Sequence, residues 1–300
     1  MENTSSARRR FYENIAGYLF IGPWLIAFLA FSVIPILSSL YFSFTDYDIL
    51  GSPVFSGLAN FRRMLNDAIF WKSLRVTFHY AFVSVPARLV FAFIVAELFR
   101  RASRLIRLYQ AAYYLPSIVG GSIAVAVMWR RMFLSDGVFN TLLRGIGINS
   151  TISWIARTDT AIWILIILAV WQFGSSMLIF LAGLRQIPRT YYEAADIDGA
   201  GPITQFFQIT LPQMTPIIFF NLIMQLINGF TVFTQAFIIS GGKGDPQQST
   251  LVYALYLYLR AFTYYEMGYS SAMAWVLVLI IAVFTGIIFK TSDRWVYYES

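Results

Sequence analysis

The sequence predicts an all-α, polytopic membrane protein with six transmembrane helices and a cytoplasmic helix–turn–helix before the fifth. Three observations carry that reading. Hydrophobic residues fill 58% of the 300 positions and charged residues only 12%, against about 25% charged residues in soluble domains. The apolar residues fall in runs of about twenty or more, the length a helix needs to cross a bilayer. One polar stretch at 191–212, YYEAADIDGAGPITQFFQITLP, breaks the pattern with turn signals too ordered for a linker.

Composition also excludes several classes. The net charge of +7 comes from Lys and Arg scattered between apolar runs rather than from a basic domain, which favours lipid headgroups over nucleic acid. With no cysteine and one histidine, disulfides, thiolate chemistry and a His-rich metal site are not expected, and no catalytic or cofactor-binding set is visible. Gly242-Lys243 is followed by Gly244 rather than Ser or Thr, so there is no phosphate-binding P-loop and the chain is not expected to hydrolyse ATP.

Residues 1–14 are polar and carry Arg8, Arg9 and Arg10. The run 17–44 behind them is too long for a signal-peptide core and reads as an uncleaved first span, kinked or broken at Pro23 and Pro35. Residues 46–73 read as an outside loop. The second span, 74–99, holds His79, Arg88 and Glu97 and runs into Arg100, Arg101, Arg104 and Arg107, a cytoplasmic cluster. The third, 109–129, contains Pro116, Gly120 and Gly121, and 130–159 is a second outside loop. The fourth, 160–183, leads into a cytoplasmic loop at 184–211. The fifth, 212–240, ends in the outside turn from Gly241 to Pro246. Residues 250–266 are aromatic and amphiphilic, an interfacial segment re-entering the outer leaflet. The last span, 269–289, precedes a charged cytoplasmic tail. Lys and Arg totals on the two sides nearly balance, so the orientation, both termini inside, rests on the dense clusters flush against span ends.

Within the polar stretch, Tyr191 to Ile197 is compatible with a short helix, Asp198 to Gly201 supplies turn residues, and Pro202 suits a first helical position. Glu193, Asp196 and Asp198 make its first half acidic. Ala194, Ala195, Gly199 and Ala200 let another surface approach the backbone, while Phe206, Ile209 and more loosely Phe207 keep helical spacing, with Phe206 suited to anchor in a pocket. Physics leaves two readings open: a docking element, or a helical hairpin lying on the membrane surface.

Glu193-Ala194-Ala195, Asp198-Gly199-Ala200, Phe206, Ile209, Leu211 and Pro212 resemble the "EAA" loop of ABC importer permeases, the cytoplasmic element that docks into the ATPase subunit. The resemblance extends over nearly the whole chain. The run 17–46 ending Ser43-Phe44-Thr45-Asp46, Asn60-Phe61 through Phe70-Trp71, Tyr114-Leu115-Pro116, Gly241-Gly242 with Tyr256 and Ala261-Phe262, and Gly268 to Ala272 are similar to carbohydrate-type permeases, relatives of the maltose importer's membrane subunits. Lys243 departs from that pattern. The resemblance implies a permease subunit of an ATP-driven importer of sugars or oligosaccharides in a bacterial or archaeal plasma membrane. It also implies a second, similar permease, two ATPase subunits and an extracellular solute-binding protein as partners.

For the substrate pathway, Asn221, Gln225, Asn228 and Gln235 step by four, three and seven along one face of the fifth span. Uncharged amides offer donors and acceptors to sugar hydroxyls without trapping them. Interhelical hydrogen bonding at roughly 0.6 kcal/mol apiece is the competing reading. Arg88 lies near mid-span, where an arginine costs about 2.5–3.5 kcal/mol and must face protein or water. Bonding to carbonyls near Pro86 or to a partner subunit is the favoured account, contact with an acidic sugar the other. Glu97, nine residues along, faces the opposite way. His79 reads as a packing residue, and Tyr256, Tyr258, Phe262, Tyr264 and Tyr265 as an interfacial aromatic belt before an outer gate or dock. An ion-coupled secondary transporter is the main rival, but it would lack intramembrane acids other than Glu97.

Overall fold

The computed structural model describes residues 18–100 and 106–297, without the side chains of Ile106 and Arg107. Arg8, Arg9, Arg10, Arg101 and Arg104, and the Arg107 side chain, lie outside the described residues, as does the end of the C-terminal tail. Among the described residues, five helices are long and apolar enough to cross a membrane, with a sixth crossing if one bent pair counts as a span.

The chain divides into two compact units. The first joins the described part of Met1–Met64 to Arg260–Trp275. It contains α1 (Tyr18–Ser43), whose expected kink is a π-turn at Leu29–Val33 with Pro35 in the turn that follows. One wide turn absorbs the lost proline hydrogen bond without breaking the helix. A short antiparallel ribbon, β1 (Thr45–Asp46) with β2 (Val54–Phe55), follows, and α2 (Ala59–Leu65) begins beside it. Asn60 Nδ2 pins the ribbon by donating to the carbonyls of Ser43 (3.1 Å) and Thr45 (2.8 Å). Glu266 accepts from Arg63 (2.8 Å) and Arg260 (3.0 Å), and the Arg63 guanidinium lies 4.6 Å from the Tyr269 ring centroid.

The second unit comprises the described parts of Leu65–Leu259 and Val276–Ser300. Its axis is α3 (Ala68–Leu98), started by Asp67, whose carboxylate accepts from the N–H groups of Ile69 (2.9 Å) and Phe70 (3.2 Å), a side-chain N-cap. The expected third span is not one straight helix. α4 (Ile106–Val119) and α5 (Ile123–Met132) are bent by 97° at their junction, because Gly120-Gly121 puts no side chain in the way and Ser122 caps a new helix through its Oγ. The loop at 130–159 includes α6 (Val138–Gly145). The fourth span is α7 (Ala161–Trp171) and α8 (Gly174–Leu184), interrupted at Gln172-Phe173.

The polar loop then forms α9 (Arg189–Ile197) and α10 (Pro202–Gln205). α10 continues through a π-turn at Phe206–Thr210 into α11 (Leu211–Phe230) and, after a break, α12 (Thr234–Ile239). α13 (Tyr253–Tyr258) corrects part of the aromatic belt. Tyr256 is buried and its hydroxyl donates to the Asp67 carboxylate, while Tyr258 packs on Phe233 and Phe237. Phe262, Tyr264 and Tyr265 are exposed. α14 (Met267–Ser292) starts in the first unit and ends in the second.

The core of the second unit is set by spacing. Val85, Leu89, Ala92 and Ala96 of α3 meet Phe173, Met177, Phe180, Leu181 and Leu184 of the fourth span, with Met214 of α11 closing the cluster. Small residues fix how closely these helices run. A Cβ on Gly183 would strike Ile217, and one on Gly229 would sit 3.1 Å from Val85 Cγ2 and 3.3 Å from Ala81 Cβ.

Candidate functional site

A cavity of about 330 Å³ lies among α3, the fourth span and the fifth span. Tyr80, Ser84 and Arg88 of α3 line it, at successive steps of four and so on one helical face. The fifth span adds Gln225, Asn228, Thr231, Thr234 and Gln235, and the fourth span adds Gln172. Three of the four amides expected along the fifth span therefore reach it. Asn221 does not: it is 1% exposed, its Nδ2 donates to Ile217 O (3.2 Å) in its own helix, and its Oδ1 has no hydrogen-bond partner among the described residues. Gln225 belongs to both expected readings, since it lines the cavity and also donates to Ser176 Oγ at 3.1 Å.

Helix breaks surround this cavity. At Thr231–Phe233 the fifth span unwinds, and all three residues are in the lining. At Gln172 the fourth span ends a helix segment, which frees a carbonyl. That carbonyl accepts from Arg88 Nη2 and from Ser117 Oγ (2.9 Å), and Ser117 Oγ in turn accepts from the Ser175 N–H (2.9 Å). The third span's break contributes Gly120, whose carbonyl lies 3.5 Å from Gln235 Nε2 and whose Cα faces the Gln172 side chain. Irregular backbone at membrane depth persists only where protein or a water-filled cavity satisfies it, and discontinuous helices are how transport sites expose backbone dipoles.

Arg88 is thus held by a carbonyl, as expected, but by that of Gln172 on another span rather than by one near Pro86. Glu97 pairs with Arg100 at 3.2 Å. His79 packs edge-on against Trp163, centroids 5.8 Å apart. The periodicity of Tyr80, Ser84 and Arg88 was available in the sequence and was missed. Gln172, one polar residue in an apolar run, gave no signal.

The helix–turn–helix has a defined end. Gly199 has φ +76° and the Ala200 N–H donates to Ala195 O (2.9 Å), the left-handed glycine and six-to-one bond that stop a helix sharply. Gly201 and Pro202 then start α10. Gln205 Nε2 braces the turn by donating to Asp196 Oδ1 (2.6 Å) and Ala200 O (3.0 Å). The element is keyed to the spans: the Tyr192 hydroxyl bonds Thr210 Oγ1, the Arg100 guanidinium lies 4.7 Å from the Tyr192 ring, and Phe206 packs on Phe93 of α3, centroids 5.9 Å apart.

Phe206, suited in the sequence to anchor in a pocket, is partly buried and packs against Phe93 of its own chain. Helical spacing alone cannot say which face of a short helix meets its own body. Ile197, Ile203 and Phe207 are the apolar side chains that project, at 88%, 76% and 61% exposure. Glu193, Ala194, Asp198 and Gly199 are exposed, Ala195, Ala200, Ile209 and Pro212 partly covered.

Bundled apolar spans around a polar cavity built from broken helices define a membrane permease. The chain belongs to the family of binding-protein-dependent transport system inner membrane components, whose model matches residues 88–297, and is accordingly a multi-pass inner-membrane protein. It is 53% identical to the probable ABC transporter permease protein YesP of Bacillus subtilis (strain 168), over 100% of this chain and 96% of that one. It is 33% identical to the lactose transport system permease protein LacF of Rhizobium radiobacter, covering 94% and 96%. Its fold matches a bacterial ABC transporter involved in import of the acidic polysaccharide alginate, with TM-score 0.80, 21% identity and coverage of 95% and 99%.

Proposed function

We propose that the chain forms half of the translocation pathway of an ATP-driven importer of sugars or oligosaccharides, with both termini cytoplasmic. A second, similar permease supplies the other half, and an extracellular solute-binding protein delivers the saccharide. The complex includes two separate ATPase subunits, one of which grips the element built on Glu193, Ala194, Ala195, Asp198, Gly199 and Ala200. The observation that carries the reading is the cavity, where amides and hydroxyls are presented at membrane depth beside unwound backbone. Donors and acceptors of that kind replace the water around a polyhydroxylated solute at low cost. ATP-driven closure of the ATPase subunits moves the loop, and the spans rock about the cavity in alternating access.

The test is saccharide uptake by cells carrying the whole system, with ATP depleted while ion gradients are held, and the reverse. Uptake that stops with ATP supports the reading, and uptake that follows the ion gradient assigns an ion-coupled secondary transporter instead.

A further inference from the structure

We propose that the cavity selects a saccharide bearing a carboxylate, a uronate, and that Arg88 receives that group. The proposal rests on the importer reading above and adds the charge of the cargo.

Arg88 is the one charged side chain among the sixteen residues lining the cavity; the rest are amides, hydroxyls and apolar groups. None of the ion pairs seen among the described residues involves Arg88: Glu97 pairs with Arg100, Glu266 with Arg63 and Arg260, and Asp159 with Arg157. One guanidinium nitrogen, Nη2, is occupied by the Gln172 carbonyl, and Nε is buried with no partner among the described residues. An unneutralised arginine at membrane depth is costly, and residues of that kind mark ligand pathways. Bracing one carbonyl requires only a neutral donor, so the positive charge is surplus to the bracing role.

What a guanidinium adds is a planar fork matched to an oxyanion. Rings of Arg or Lys select anions in pores by the same principle. A single cation compensates a carboxylate but leaves a phosphate dianion half-compensated, so a uronate fits better than a sugar phosphate. Tyr80 and Ser84 of α3, with Gln225 and Asn228 of the fifth span, then serve the sugar hydroxyls.

The experiment measures uptake of digalacturonate, its methyl ester, neutral galactobiose and galactose 6-phosphate by cells carrying the complete system, with the wild-type chain, Arg88→Gln and Arg88→Lys. Arg88→Gln removes the charge and leaves a neutral polar side chain at the position. The wild type is expected to take up digalacturonate about tenfold faster than the ester or galactobiose. Arg88→Gln flattens that preference, and Arg88→Lys, which keeps the charge without the fork, retains part of it.

Digalacturonate uptake no greater than that of the neutral sugars, zero included, overturns the proposal, as does a preference that Arg88→Gln leaves unchanged. Galactose 6-phosphate outrunning digalacturonate would assign a phosphate and also overturn it. An equal fall for every sugar in Arg88→Gln reduces Arg88 to a brace and does the same. Transport of neutral sugars alone leaves the importer reading standing while this one falls; the importer reading itself falls only if uptake follows the ion gradient rather than ATP.

Discussion

The Tyr192 hydroxyl lies 2.8 Å from Thr210 Oγ1, which ties the first helix of the helix–turn–helix to the π-turn at the foot of α11. The far end of α11 carries Gln225 and Asn228 into the cavity. One bond thus joins the proposed motor contact to the span that lines the proposed pathway. Tyr192→Phe should cost about 0.5–1.5 kcal/mol of stability, the net value of one hydrogen bond. It should leave assembly intact and lower saccharide-stimulated ATP turnover several-fold, read by comparing stimulated with basal rates in proteoliposomes.

Gly199 holds φ +76° with open space around its missing side chain, so backbone strain rather than a clash opposes substitution. Gly199→Val should cost about 1–2 kcal/mol and misplace α9 against α10. ATPase subunits are then expected not to copurify, whereas Gly199→Asn, which tolerates the left-handed region, should retain most of them.

The amides of the fifth span separate into two groups. Asn228→Leu removes a cavity-lining amide, and uptake is expected to fall by about tenfold or more for the loss of polar contacts to the moving sugar, at unchanged levels of assembled protein. Asn221→Leu removes a buried amide with an unpaired oxygen, so uptake should stay near wild type and the melting temperature should hold or rise. Equal effects of the two substitutions would reassign the whole stripe to helix packing.

Gly183 faces Ile217, with Met214 Sδ 3.1 Å from where a Cβ would stand. Gly183→Leu should therefore overpack the core and cost about 1–3 kcal/mol, seen as a lower melting temperature in detergent before any change in substrate preference.

The spans were legible because long apolar runs have few physical alternatives in an integral membrane chain. The start of α10 at Pro202 was legible because the fixed φ of proline suits a first helical position, and Gly199 was legible as a turn residue but not as the left-handed stop of α9. The interruption at Gln172-Phe173 was not, because no proline marks it and its carbonyl is satisfied by residues distant in sequence, Arg88 and Ser117. Gly120-Gly121 announced flexibility in the third span but not a 97° bend, which depends on the packing of Gly120 against Gln172. The turning of Phe206 toward Phe93 is likewise a tertiary choice, invisible to a periodicity that fits either face.

The absence of cysteine makes single-cysteine cross-linking the most direct test of the central claim, that a separate ATPase grips the exposed end of this loop. Ile203→Cys, at a position 76% exposed, and Ile146→Cys in the 130–159 loop, at one 74% exposed, would each be labelled with a thiol-reactive photo-cross-linker in the assembled complex. The account predicts that Ile203→Cys captures the ATPase subunit and Ile146→Cys does not. No capture from position 203, or equal capture from both, would contradict it.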